Sequence, residues 1–368
     1  MYMRIAIIHD WLTGMRGGEK VLEVLLDIFP DSEIFTLICN KREISDKIRS
    51  KKIHTSFLQS MPGIFKYYRN FLPLFPFAIE SFDLKGFDLI ISSSHCVAKG
   101  VKVPKNILHF SYCHTPMRYA YDQFNNYFSL QKNGKIRFWL IKNIISQLRK
   151  WDIKTSDRVD EFIANSDNVK QRIRKYYNKE ATVIYPPVDT DFFTPDENIK
   201  KQDFYLMVGA FVEYKKPDFV IKIFSDYLKD KKLIVAGNGP MKNYLDKIKG
   251  ANVKIITNAT NEEIRDYYRK AKCFIFPGEE DFGITMVEAN SCGTPVLALN
   301  KGGALEIVKQ GITGEFYDGT EEDFIKKLEN IDKKLYDIKS MRENAGRFSK
   351  EKFIFSFKDF LKRRNIIE

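Results

Sequence analysis

The 368-residue sequence has no run of about 18 apolar residues, the length a helix needs to cross a bilayer. Its longest apolar candidate, Phe71–Ile79, is short and is broken by Pro73 and Pro76. Cysteine is scarce. Cys39, Cys96, Cys113, Cys273 and Cys292 are odd in number, widely scattered and without a Cys-x-x-Cys spacing. That pattern fits free thiols in a reducing compartment and argues against a structural zinc site. The first residues lack the long apolar core and small-residue cleavage site of a signal peptide, so Arg4–His9 is expected to be a β-strand. No internal repeat and no low-complexity segment stands out.

Acidic residues are in the minority. The chain carries 60 Lys and Arg against 48 Asp and Glu, a formal charge of +12. A basic balance favours anionic partners such as nucleotide phosphates, nucleic acid or an anionic membrane surface, although a solvated basic surface explains a net charge equally well. The excess is uneven. Lys41–Asn70 holds eight Lys or Arg and two acids, mixed with Phe57, Phe65, Tyr67 and Tyr68, and aromatics continue through Phe71, Phe75 and Phe77. Basic plus aromatic suits an interfacial membrane contact. The rival reading makes the aromatics core and the lysines solvated.

Length and patterning point to two domains. Short apolar runs are expected as strands at Arg4–His9, Glu33–Leu37, Asp88–Ser92, Ile107–Tyr112, Phe162–Asn165 and Ala181–Tyr185. Gly14, Gly17 and Gly18 form a turn before a helical pattern at Val21, Leu22, Leu25 and Leu26, and residues 135–158 read as one long amphipathic helix. Ser166 is placed to cap a helix over 167–177. Residues 186–203, with Pro186, Pro187 and Pro195, suit a connection, which sets the domains at 1–188 and 189–349. The alternation restarts with strands at 204–209, 232–237, 253–257, 273–276 and 295–299 and helices at 217–229, 240–248, 261–271, 283–292 and 303–309. The fold class is α/β: two Rossmann-like doubly wound domains facing across a cleft, with the basic tail 350–368 packing back on the first. Ligands in such sheets bind beyond the carboxyl ends of the strands.

The richest segment runs from Phe274 to Val296. An apolar strand ends at Pro277, an acidic loop carries Glu280, and Phe282, Gly283 and Ile284 open a helix containing Glu288. A helix start offers N–H groups and partial positive charge to a diphosphate. Two carboxylates separated by seven residues can hold a sugar and a ribose at different depths. Taken one at a time, each Glu is more simply a surface residue. What counts is that the strand, the loop, Phe282-Gly283 and Gly293-Thr294-Pro295 fall in register.

This segment resembles the donor-site signature of the family-four retaining glycosyltransferases with the GT-B fold, at Glu280, Phe282, Gly283, Glu288, Ala289, Gly293, Pro295 and Val296. The resemblance extends to Gly302-Gly303-x-x-Glu306 and covers nearly the whole chain. It implies that Glu280 holds donor-sugar hydroxyls and Glu288 the ribose. His9-Asp10-Trp11, Gly17-Gly18-Glu19-Lys20, Ser92-Ser93-Ser94-His95, Ala98-Lys99-Gly100, His114-Thr115-Pro116-Met117-Arg118-Tyr119, Asn165-Ser166 and Tyr185-Pro186-Pro187-Val188-Asp189 resemble a subgroup of bacterial mannosyltransferases that build O-antigen and related surface polysaccharides. Such enzymes generally use GDP-mannose, and their acceptors are glycans or polyprenyl-linked glycans. With no Asp-x-Asp pair in a sugar-donor context, lysines and helix dipoles are expected to do what a metal ion does elsewhere, so no metal or cofactor is expected. The scattered cysteines lead to the expectation of a cytoplasmic chain, and the basic aromatic stretch 41–77 to that of a peripheral place on the inner face of the cytoplasmic membrane.

Further candidates carry the same weighing. Gly17 and Gly18 follow the first strand and would let a ligand approach the backbone. His114 lies beyond a strand end with Arg118, and the resemblance makes it a donor-sugar contact and an aid to proton transfer. Lys215 and Lys216 are phosphate candidates, otherwise an ordinary exposed pair. The family usually places Arg directly after Gly209, where this sequence has Ala210, so one expected cation is missing. Gly237 and Gly239 resemble a nucleotide-side turn, but alone they are plain turn chemistry. No Asp-x-Asp pair stands in a sugar-donor context. A UDP-sugar donor, an epimerase of the same fold, a phosphorylase and a basic nucleic-acid-binding protein are the competing readings. No recognised RNA- or DNA-binding module supports the last of these.

Overall fold

A computed structural model describes residues 3–124, 128 and 134–367. The chain forms two compact units, Met1–Tyr185 with Ser356–Glu368, and Pro186–Phe355.

The first unit is built on seven parallel strands: β1 Ile5–His9, β2 Glu33–Thr36, β3 Ile53–Thr55, β4 Leu89–Ser94, β5 Leu108–Cys113, β6 Glu161–Ala164 and β7 Ala181–Val183. Their order is β3-β2-β1-β4-β5-β6-β7. The central strands β1 and β4 are buried along their whole length. That explains their continuous apolar runs, since a parallel sheet is covered on both faces. The chain winds outward from β1 to β3 and then crosses to β4, so the order reverses between β1 and β4. Loops leave this point in opposite directions and open a crevice at the carboxyl ends.

The second unit repeats the plan with six parallel strands: β8 Tyr205–Val208, β9 Leu233–Ala236, β10 Val253–Ile256, β11 Cys273–Phe276, β12 Val296–Leu299 and β13 Gly314–Tyr317. Their order is β10-β9-β8-β11-β12-β13, with the reversal between β8 and β11. Both units are therefore Rossmann-like sheets, as the alternating pattern implies. Two edge strands, β3 and β13, go beyond the sequence reading.

The expected Ser166 cap is present: its hydroxyl accepts from the Val169 amide at 3.1 Å. The long helix is Lys135–Thr155, followed by a short 3₁₀ turn. Gly17 and Gly18 are not in a turn; they are the first two residues of the helix Gly17–Ile28. The basic aromatic stretch divides. Ile64, Tyr68 and Phe75 enter the core with Ala6, Ile8, Ile145 and Leu148, whereas Phe57, Phe65, Tyr67 and Phe77 are exposed. The last helix, Lys350–Lys362, carries the chain back into the first unit. There Phe357 meets Phe29, Phe360 meets Phe110, and Arg364 pairs with Glu161.

The long helix is fastened by a buried ion pair. Lys99 Nζ lies 2.9 Å from Asp152 Oδ1 and donates to the Asp152 carbonyl at 2.6 Å. Asp152 Oδ2 accepts from the Tyr121 and Tyr177 hydroxyls at 2.7 and 2.8 Å. Removing the cation strands a buried carboxylate. Lys99→Met is therefore expected to lower the unfolding free energy by about 3–5 kcal/mol in urea titrations. Lys102→Met, at an exposed lysine 3.8 Å from Glu80, should change it by less than about 1 kcal/mol.

Candidate functional site

Each unit gathers polar side chains where its sheet reverses. In the first unit the carboxyl end of β1 delivers His9 and Asp10, and that of β4 delivers Ser93, Ser94 and His95. Asp10 is fully buried. Its Oδ2 accepts the His95 and Cys96 amides at 2.7 and 2.9 Å, and its Oδ1 accepts those of Val97 and Ala98 at 2.7 Å each. The His95 ring completes the cage, with Nδ1 3.0 Å from Oδ2. Burial alone would raise the Asp10 carboxyl. The charge and hydrogen bonds of His95 outweigh it and hold the group well below the usual carboxylate range. In turn, burial would lower His95, and Asp10 raises it above its ordinary value. His95 also stands edge-on to Trp11, with ring centroids 4.5 Å apart.

A second network crosses the same point. His9 Nδ1 and His114 Nε2 share the Ser93 hydroxyl at 3.2 and 2.8 Å. His114 is the first residue beyond β5, its amide donating to the Ser94 carbonyl at 2.8 Å. The residue as a whole is half-buried. Burial first, and then the like charges of His95 and His9, push its pKa down to about 3, so the imidazole is neutral near pH 7. The start of the Gly17–Ile28 helix leans over this pair. A Cβ on Gly18 would lie 3.5 Å from His9 Cε1 and 3.7 Å from His114 Nε2. Those are ordinary contacts, so nothing in the fold forbids a side chain there. Glu19, in the first turn, accepts the Arg16 amide at 3.0 Å and lies 4.0 Å from His9 Nε2. Arg118 opens the 3₁₀ turn Arg118–Ala120 after His114. His9, Asp10, Glu19, Ser93 and His95 stand in the sequence motifs without an assigned role. The signal for them was positional: His9-Asp10 and Ser93–His95 end the two strands that flank the reversal.

In the second unit Lys215 Nζ lies 2.6 Å from Glu280 Oε1, both side chains about a fifth exposed. Lys215 ends the turn after β8, and Glu280 sits in the loop after β11, so the pair straddles the reversal. Glycines allow the approach. A Cβ on Gly278 would stand 2.7 Å from the Tyr214 carbonyl oxygen and 2.8 Å from Lys215 Cα. From the other side, a Cβ on Gly302 would stand 2.5 Å from the Glu280 carbonyl oxygen, which accepts the Gly303 amide at 2.9 Å. Gly283, at φ +103°, forms the uncapped start of the helix Ile284–Ser291, while Phe282 is buried against Phe348. Glu288 lies within that helix and accepts from the buried Tyr268 hydroxyl at 3.1 Å. Gly237 and Gly239 are glycine for packing reasons. Their Cβ atoms would fall 1.8 Å from the Gly209 carbonyl oxygen and 2.6 Å from that of Phe211. Lys216 caps the helix Pro217–Asp226 in a left-handed conformation, and Ala210 is exposed.

Two family models match. The one described as "Glycosyl transferases group 1" matches residues 189–363, and "Glycosyltransferase Family 4" matches residues 35–192. A D-inositol 3-phosphate glycosyltransferase of Nocardiopsis dassonvillei is 29% identical over 196 residues, 45% of this chain and 46% of that protein. The chain spans about half the length of the curated relatives it matches. Among solved structures, the Anabaena protein HepE with UDP-glucose superposes at TM-score 0.71 and 14% identity, covering 98% of this chain and 100% of its own. The Thermosynechococcus elongatus sucrose-phosphate synthase does so at 0.72 and 16%, covering 98% and 99%. At such identities the likeness carries the two-domain GT-B fold.

The Asp10–His95 pair makes stability depend on pH in two directions. Asp10 titrates lower in the folded chain than unfolded, so its contribution is present above about pH 4 and is lost as pH falls. His95 titrates higher when folded, so its contribution is complete below about pH 6.5 and is lost as pH rises through the folded value. The melting temperature of the wild type is expected to exceed that of Asp10→Asn most between those limits. The gap should narrow on either side, as thermal melts across pH will read.

Proposed function

We propose that this chain, which belongs to the family-four glycosyltransferases, moves a hexosyl group from a nucleotide-sugar donor to a glycan or lipid-linked glycan with retention of anomeric configuration. The observation that carries the reading is the Lys215–Glu280 pair at 2.6 Å beside the Ile284–Ser291 helix start. Departure of a nucleoside diphosphate builds negative charge on phosphate and positive charge on the anomeric carbon, and a transferase must answer both.

The phosphate side falls to Lys215, Lys216 and the Gly283 helix start. A diphosphate brought to Lys215 Nζ competes with Glu280 for the cation and leaves the carboxylate to accept from sugar hydroxyls. Glu288, steadied by Tyr268, receives the ribose hydroxyls. Gly237 and Gly239 keep the β9 loop flat against the β8 loop, which leaves backbone rather than side chain facing a nucleotide. His114 acts as a neutral imidazole, donating to or accepting from the sugar rather than balancing charge. Attack comes from the face the leaving group departs, assisted by its phosphate, and no carboxylate is assigned as a covalent nucleophile. Because these cations and dipoles supply the compensating charge, the reaction proceeds without a divalent metal.

The resemblance of the first-unit motifs around His9, His95 and His114 to the mannosyltransferase subgroup supports GDP-mannose as the donor. A UDP-sugar is the alternative, favoured by the solved HepE complex with UDP-glucose. A thermal-shift panel of nucleotide sugars separates them, since a ligand of the folded state raises its melting temperature. GDP-mannose is expected to give the largest shift; a larger one from a UDP-sugar reassigns the donor.

Glu280→Gln should cut transfer by about 100-fold or more without changing the far-UV circular dichroism. Lys215→Ala should weaken donor binding by about 10- to 100-fold, the worth of a charge-assisted hydrogen bond. The rate should be the same in excess EDTA as without it. Near-normal transfer by Glu280→Gln, unchanged donor affinity in Lys215→Ala, or a loss of rate in EDTA would each overturn the corresponding assignment.

A further inference from the structure

His9 Nε2 is buried, and no hydrogen-bond partner for it lies among the described residues. What stands opposite it is a charge. Glu19 Oε1 is 4.0 Å away, while the other carboxylate oxygen takes the Arg16 amide at 3.0 Å. Glu19 is itself buried. Burial would raise its carboxyl, but the His9 ring and the backbone amides of Glu19 and Arg16 outweigh that and hold it below its ordinary value. His9 Nε2 therefore points at an anion in surroundings where water screens little.

The other nitrogen of His9 is tied to a hydroxyl that has one proton to give. Ser93 is fully buried, and its Oγ lies 3.2 Å from His9 Nδ1 and 2.8 Å from His114 Nε2. It donates to one ring and accepts from the other. Between neutral imidazoles, each with a single ring proton, two arrangements satisfy that rule. In one, His9 is protonated on Nε2, its Nδ1 accepts the Ser93 proton, and Ser93 Oγ accepts Nε2–H of His114. In the other every proton is reversed, and His114 is protonated on Nδ1. Glu19 decides between them. The first arrangement sets the positive end of an N–H dipole against the buried carboxylate. The second sets a lone pair against it, which is repulsive at this distance.

We propose that Glu19 is a positioning residue that acts through His9 and Ser93 to fix His114 as the tautomer protonated on Nε2, so that His114 meets the donor sugar only as a hydrogen-bond acceptor. The tautomer follows from the hydrogen bonds within the first unit, whereas the sugar contact rests on the transferase reading above. His114 Nε2 is spent on Ser93, which leaves the lone pair of Nδ1 for the ligand. A sugar hydroxyl can donate to that lone pair. A fluorine or a carbonyl oxygen at the same position cannot, and meets it lone pair against lone pair. The relay thereby makes His114 selective for a sugar that carries a hydroxyl at the contacted position.

The test uses the full chain with nitrogen-15-labelled histidine at about pH 8, where an ordinary histidine is neutral. Long-range proton–nitrogen NMR correlations read which ring nitrogen carries the proton, and the His114 signals are those lost in His114→Gln. The wild type is expected to show His114 protonated on Nε2. In Glu19→Gln the side-chain oxygen keeps the Arg16 amide and the NH2 group faces His9 Nε2, so the His114 proton should move to Nδ1. Once Ser93→Ala has removed the hydroxyl that couples the rings, adding Glu19→Gln should leave the His114 signals unmoved. Both single variants should keep the wild-type far-UV circular dichroism. A wild-type proton on His114 Nδ1, no change in Glu19→Gln, or the same change without the Ser93 hydroxyl would overturn the proposal.

The sugar contact is read separately, with whichever of GDP-mannose and UDP-glucose gives the larger thermal shift and its analogues bearing fluorine in place of one sugar hydroxyl at a time. The wild type should bind the analogue altered at the contacted position at least about tenfold more weakly than the parent. Glu19→Gln should bring the two within about threefold, because Nδ1–H then meets the fluorine. Equal wild-type affinity for every analogue would overturn the acceptor role at the sugar, while the ring signals alone decide whether Glu19 holds the tautomer.

Discussion

The first unit is organised around one buried carboxylate. Asp10 takes four backbone amides in succession from residues 95–98 and the ring of His95. A side chain that satisfies four amides dictates the path of the chain carrying them, so the loop after β4 is wrapped about the end of β1. That wrapping fixes Ser93 between His9 and His114 and stands His95 against Trp11. It also sorts the charges. Asp10 raises His95 above its ordinary value, and the charge of His95 adds to burial in lowering His114. The same ion pair thus moves the two imidazoles in opposite directions.

The second unit reaches its arrangement by a different means. Backbone is instead pressed on backbone at glycines: Gly237 on Gly209, Gly278 on Tyr214 and Lys215, Gly302 on Glu280 and Gly303 on Phe282. The missing side chains let three loops stack closely enough for Lys215 to meet Glu280. The two sheets share the same winding, and each concentrates its polar groups where that winding reverses. The first does so through side-chain hydrogen bonds, the second through the absence of side chains.

Much of this was legible beforehand because parallel strands leave a strong trace. Ile5–His9, Cys273–Phe276 and Val296–Leu299 are continuous apolar runs between turn signals, and the structure keeps them as central strands. The strands that escaped notice are edges. Ile53–Thr55 has three residues, half exposed, amid lysines that suggested a membrane contact. Gly314–Tyr317 opens on Gly and Glu, both poor strand formers, and lies at the sheet edge beside β12. Gly17 and Gly18 suggested a turn because glycine is a weak helix former. The Glu19 carboxylate accepts the Arg16 amide and so ties the chain before Gly17 into the helix's first turn.

The sequence alone determined the class of fold and the residues around the reversal points: alternating apolar runs and helices leave a chain little choice but doubly wound sheets, and strand ends are visible as the places where those runs stop. It also determined that Glu280, Phe282, Gly283 and Glu288 share one loop and helix. Tertiary structure decided the partners. That Glu280 meets Lys215, that Glu288 is held by Tyr268 and that Asp10 gathers the 95–98 amides are contacts between segments 20 to 88 residues apart. No local pattern encodes them, because they depend on which strands lie side by side. The outward face of Ile136, Trp139 and Leu140 on the Lys135–Thr155 helix is of the same kind. Periodicity marks the helix as amphipathic, but which of its two apolar stripes is buried is settled only by where Ile145 and Leu148 find the core.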